Sequence, residues 1–209
     1  MKNIVLQGDS ITDCQRSRDG EEYRGSGYAT LIASKLNLEY PGRYTVYNRG
    51  IGGDKSVGIY ARLQKDVFNL KPDYLSILVG VNDAWHMLPE ISNGVSAKRY
   101  EKAMNLILEE TKEQFPTVKF IVMSPFLLKA SHTLPEWDFL KREVDLRAEA
   151  AFRVASKYDA EFISLGQIFD DALKKAPEEN WVIDGVHPKA AGHALIADAW
   201  LKVFDKIER

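Results

Sequence analysis

The sequence predicts an α/β protein: a three-layer α/β/α sandwich built on a mainly parallel sheet of five strands. Two observations lead there. Short runs rich in Ile, Val, Phe or Tyr recur along the whole chain, most of them bounded by Gly, Pro, Asn or Asp. Between them lie longer amphipathic stretches, and strand-helix alternation of this kind implies parallel strands with helices on both faces.

Taken in order, the strands are 3–6, 44–47, 74–79, 119–123 and 161–163. Tyr100, Met104, Ile107, Leu108, Thr111 and Phe115 follow helical spacing, and Pro116 stands just past that helix's end. Ala190, Ala194, Leu195, Ala199 and Val203 mark the apolar stripe of a last helix. Two connections exceed the usual length, Asp13 to Gly25 and Pro125 to Glu136, and long loops on such sheets shape binding sites. The 209 residues suit a single domain over 1–209, with no repeat or linker.

Composition removes several function classes. Lys plus Arg is 28 against 30 for Asp plus Glu, which is not the basic footprint of a nucleic-acid binder. The apolar runs are too short to cross a bilayer, so no membrane partner is expected. The chain reaches Gly8-Asp9-Ser10 without a secretory signal, which suggests a cytoplasmic protein. Cys14 is the single cysteine, so there is no internal disulfide and no cysteine metal cluster.

In open α/β sheets ligands bind beyond the carboxyl ends of the strands. Gly8-Asp9-Ser10 follows the first strand, Asn48 to Asp54 the second and Gly80-Val81-Asn82-Asp83 the third, while Asp184-Gly185-Val186-His187-Pro188 precedes the last helix. Together they offer what acyl transfer needs. A serine hydroxyl becomes nucleophilic when an imidazole takes its proton and a carboxylate fixes the imidazole's tautomer. Ser10, His187 and Asp184 are the candidates. The Ser10 N–H, the Gly53 N–H and the Asn82 amide are candidate donors to the tetrahedral oxyanion.

Each piece also has a plainer reading. Serine after a strand is ordinarily a turn residue or helix cap. Asp184-Gly185 reads as a turn and Pro188 as a first-turn proline, but that leaves His187 without a purpose. Asp9, Asp54 and Asp83 are assigned to loop support. His193 reads as a packed or surface histidine, His86 and His132 as loop residues without a zinc partner, and Cys14 as structural or incidental.

The four blocks, in this order from position 8 to 188, resemble those of the SGNH (GDSL) hydrolases. That resemblance implies a flavodoxin-like sandwich with Ser10 as nucleophile, His187 as base, Asp184 as its partner, and Gly53 and Asn82 as oxyanion donors. Ile11 replaces the family's Leu without touching the chemistry. Gly8 to Cys14, Gly80 to Trp85 and a Trp shortly before Asp184 further resemble the family's carbohydrate esterases, acetylxylan esterases among them. The implied substrate is an acetylated oligosaccharide or other small ester, with no cofactor or metal, and homo-oligomers are compatible. Trp85 and Trp181 would wall the acyl pocket or stack on a sugar, unless they are core residues.

Three rivals remain at this level. A lysophospholipase, short-chain lipase or thioesterase would use the same triad, although Arg16, Arg18, Asp19, Glu21, Glu22 and Arg24 lean towards a polar substrate. A catalytically silent binding module would show a broken constellation, and none is broken. A nucleotide-binding protein would carry a phosphate-loop signature, which is missing.

Overall fold

The computed structural model describes residues 1–20 and 23–208. Glu21 and Glu22, two of the charged loop residues above, lie outside the described residues. Five strands form one sheet: β1 (Lys2–Gly8), β2 (Tyr44–Asn48), β3 (Tyr74–Leu78), β4 (Lys119–Met123) and β5 (Glu161–Ile163). Their order is β2-β1-β3-β4-β5, and every pairing is parallel. The expected strands are all present. Only their ends move: the first gains a residue or two at each side and the third stops at Leu78.

Period-two alternation along each strand sorts the core into two halves. Ile4 and Leu6 of β1, Tyr74 and Leu78 of β3, and Ile121 and Met123 of β4 face one half. Val5, Leu75, Ile77, Phe120 and Val122 face the other. The first half is closed by α2 (Tyr28–Glu39), α8 (Leu165–Leu173) and α9 (Ala190–Glu208). The second is closed by α3 (Ser56–Ala61), α6 (Ala97–Gln114) and much of α7 (Trp137–Lys157). With both faces covered, the strands need no polar side, which is why they read as nearly continuous apolar runs.

The α6 stripe is as expected, with Tyr100, Met104, Ile107, Leu108 and Thr111 buried. The α9 stripe is corrected. Its buried face is Gly192, His193, Ile196, Ala197, Trp200 and Phe204, whereas Ala190 is exposed and Ala194, Leu195, Ala199 and Val203 lie on the flank. Large rings decide the rotation. Trp200 stacks on Phe204 and donates its indole N–H to Ser76 Oγ at 3.0 Å, a contact no alanine stripe could replace. Among the described residues no helix is long and apolar enough to cross a membrane.

The order 2-1-3-4-5 places a topological switch between β1 and β3, where successive connections depart to opposite faces and leave a crevice. Two short helices start there, α1 (Ser10–Asp13) after β1 and α5 (Val81–Trp85) after β3.

Candidate active site

Ser10 opens α1. Asp9 caps that helix by accepting the Ile11 N–H at 3.0 Å, which fixes the backbone turn and turns the Ser10 side chain out of the sheet. Across the crevice, the segment before α9 folds into a tight hairpin. Val182 bridges Pro188, and the Ile183 N–H donates to the His187 carbonyl at 2.8 Å. Gly185 sits at its tip with φ +97°, a conformation that strains any L side chain. Space forbids a side chain too, because a Cβ there would meet Thr133 and the Leu128 carbonyl.

The hairpin brings three distant groups into one line. Ser10 Oγ lies 2.9 Å from His187 Nε2, and His187 Nδ1 lies 2.7 Å from Asp184 Oδ2. Asp184 Oδ1 accepts the Val186 and His187 N–H groups at 2.9 and 2.8 Å. Burial pushes the Asp184 carboxyl up, but these hydrogen bonds outweigh it and hold the group below its ordinary value. An ionised carboxylate only accepts, so the imidazole proton sits on Nδ1 and Nε2 is left to accept from the Ser10 hydroxyl.

The candidate oxyanion donors Gly53 and Asn82 sit in the turn before α3 and in α5. Gly53 has φ +77° in an exposed turn, and a Cβ built on it meets nothing within 4 Å. Its glycine therefore answers a backbone requirement and leaves the front of the peptide open. Asn82, in the first turn of α5, donates one amide hydrogen to the Asp54 carbonyl at 3.0 Å, which leaves the other for a ligand. Asp54 and Asp83 do hold the surrounding loops. Asp54 binds Arg62 Nε at 2.8 Å, and buried Asp83 accepts from the Ser56 hydroxyl at 2.5 Å.

The GDSL-like Lipase/Acylhydrolase family model matches residues 6–195. This chain belongs to that family. Over 210 residues the GDSL hydrolase is 32% identical to an acetylxylan esterase of Geobacillus stearothermophilus, covering 96% of this chain and 93% of the relative. The crystal structure of such an esterase from that organism superposes with a TM-score of 0.85 at 30% identity, covering 96% of this chain and 93% of the other. A protein of Parabacteroides merdae described as a GDSL-like lipase gives 0.90 at 34% identity, covering 96% and 94%. The GDSL hydrolase is therefore a carboxylic ester hydrolase.

Two cavities open on His187 of this hydrolase. The smaller, about 300 Å³, is lined by Val81, Asn82, Trp85, Ile91 and Val186 among others. The larger, about 650 Å³, lies on the Ser10 side and is lined by Ile183, Arg16, Arg18 and Lys189 together with Cys14 and His193. Trp85 thus stands beside the candidate triad. Trp181 is placed elsewhere: it lines neither cavity, its indole N–H donates to the Ala176 carbonyl at 3.0 Å, and its ring packs on the core. From that segment it is Ile183, 67% exposed, that faces the larger cavity.

Sequence reasoning also missed the company Cys14 keeps. Its Sγ lies 3.4 Å from both His193 Nε2 and Ser26 Oγ, so it is not without neighbours. His193 is packed rather than exposed. Its Nδ1 accepts the Tyr28 N–H at 3.2 Å, so the ring proton is on Nε2 and points at the sulfur. Burial, and secondarily the charge on His187, lower its pKa to about 4. The closeness of Cys14 to Ser10 in sequence already points the thiol to this rim, and both residues line the larger cavity.

Asp9 carries a testable consequence. Burial raises its pKa to about 7, against the Ile11 N–H that lowers it, with Asp83 adding to the rise. Its Oδ2 is buried without a hydrogen-bond partner among the described residues. A carboxyl neutral in the fold but ionised in the open chain favours the fold at acid pH and loses that advantage as pH rises from about 4 to about 7. Asp9→Asn removes the titration while its amide oxygen still caps Ile11. Its stability relative to wild type should therefore grow across that window by roughly 3 kcal/mol. Urea unfolding at pH 5 and pH 8 measures this, and an unchanged difference would reject it.

Proposed function

We propose that this esterase removes acetyl groups from hydroxyl-rich carbohydrates such as xylo-oligosaccharides, by double displacement on Ser10. The observation that carries the reading is the Ser10–His187–Asp184 hydrogen-bonded line opening on two unlike cavities. The small one, where Val81, Trp85, Ile91 and Val186 share the wall with Asn82, His86 and His132, has room for a short acyl group. The large one, with Arg16, Arg18 and Lys189 set in a mostly apolar lining, has room for a sugar ring.

In this mechanism Ser10 Oγ attacks the ester carbonyl as its proton passes to His187 Nε2. The Ser10 and Gly53 N–H groups and the Asn82 amide hold the oxyanion. The bond to the sugar oxygen then breaks, and that oxygen takes the proton from Nε2. Water next attacks the acyl-enzyme, giving its proton to Nε2, and acetate departs as Ser10 regains a hydrogen. Asp184 keeps the imidazole oriented throughout and stabilises its transient charge.

The discriminating experiment compares acetylated xylo-oligosaccharides with lysophospholipids and with p-nitrophenyl esters of increasing acyl length. Acetate should be preferred, with rates falling as the acyl chain outgrows the smaller cavity. A preference for lysophospholipids or long acyl chains would replace the deacetylase reading with a lipid one.

A further inference from the structure

A cluster of cations adjoins the larger cavity, and the mechanism above makes no use of it. A second recess, about 370 Å³, is lined by Arg16, Arg18, Arg49, Ile51, Lys65 and Asp66. Arg16 and Arg18 also line the cavity that holds Ser10 and His187, so the two spaces share a wall.

Among the described residues, two acids that adjoin these cations are already engaged. Asp66 accepts from Arg62 Nη1 at 2.7 Å. Asp13 accepts from Arg18 Nη2 at 2.5 Å and from the Gly52 N–H at 2.9 Å. Arg16 differs from Arg18. Its Nε donates to the Gly50 carbonyl at 2.8 Å and its Nη1 to the Ser17 carbonyl at 3.2 Å, both neutral acceptors. Among the described residues no carboxylate forms an ion pair with it. Burial, followed by the like charges of Arg18 and Arg49, holds its guanidinium below the ordinary value. A half-buried cation crowded by cations is a place where an added anion is favourable.

We infer that the alcohol half of the ester carries a negative group, seated between Arg16, Arg18 and Lys65 while its acetyl-bearing hydroxyl reaches Ser10. This rests on the carbohydrate reading above and narrows it to acidic saccharides. Two sources share the chemistry, a uronate carboxylate and a sugar phosphate. Both offer oxygens that a planar guanidinium fork can hold in charge-assisted pairs.

Three mono-acetylated substrates on one sugar ring test this: methyl glucoside, methyl glucuronoside and methyl glucoside 6-phosphate. At least one anionic acetate should exceed the neutral one in kcat/KM by about tenfold, the worth of one charge-assisted hydrogen bond. Whichever anionic acetate shows the larger excess identifies the source. The excess should shrink as salt screens the cations.

Arg16→Gln should bring the anionic-to-neutral ratio towards one, mainly through KM. Arg16 also braces Gly50, so Lys65→Gln, a change to an exposed side chain, should lower the same ratio in a fold left intact. Equal rates on all three acetates in the wild type would overturn the inference and leave the deacetylase reading standing. A loss in Arg16→Gln common to all three, with no change of ratio in Lys65→Gln, would assign the arginine to bracing the loop and also overturn it. Should p-nitrophenyl acetate be cleaved and no sugar acetate, the carbohydrate reading itself fails and takes this inference with it.

Discussion

Ser10→Ala should lower kcat for acetate-ester hydrolysis by roughly 10⁴-fold or more while KM stays near its original value. The variant loses one oxygen from a side chain whose only hydrogen bond among the described residues is to His187 Nε2 at 2.9 Å. Neither the Asp9 cap nor the sheet depends on that oxygen, so folding should be preserved. The residual rate would come from the oxyanion donors and from binding. Steady-state kinetics with p-nitrophenyl acetate, beside a thermal melt of both proteins, make the measurement. A folded variant that keeps wild-type turnover would remove Ser10 from the chemistry.

Asp184→Asn should cost about 10³- to 10⁴-fold in kcat for a different reason. Asparagine keeps an oxygen for the Val186 and His187 N–H groups, so the hairpin survives. Where Oδ2 now accepts from Nδ1, however, the amide presents N–H. The imidazole must then accept at Nδ1 and carry its proton on Nε2, facing a hydroxyl it can no longer deprotonate. The pairing predicts a loss of turnover without a loss of stability. Activity within tenfold of wild type would show that the carboxylate does not set the tautomer.

These two residues were legible before any coordinates because the chemistry restricts the choice of side chain and the hairpin restricts the spacing. The sheet was legible for a related reason: five β-branched runs covered on both faces have no polar period to confuse them. The shortest helices were not. Runs such as α3 and α5 are too short to form by propensity and are set by long-range caps, as when Asp83 accepts from Ser56. Arg147 was equally invisible. It is fully buried, pairs with Glu143 at 3.0 Å and reaches the Asp83 and Val95 carbonyls, bracing α5 and with it Asn82. Nothing in a helix reading distinguishes such an arginine from a solvated one. Trp85 and Trp181 looked alike in sequence, and the fold separated them, because a hydrogen bond to Ala176 ties the second ring away from the crevice.

The reacting oxygen and its base are separated by 177 positions of chain. Neither group can do the chemistry within its own stretch of chain. Ester-cleaving power is therefore a property of the tertiary fold alone, and a fragment lacking the hairpin from Val182 to Pro188 should be inert.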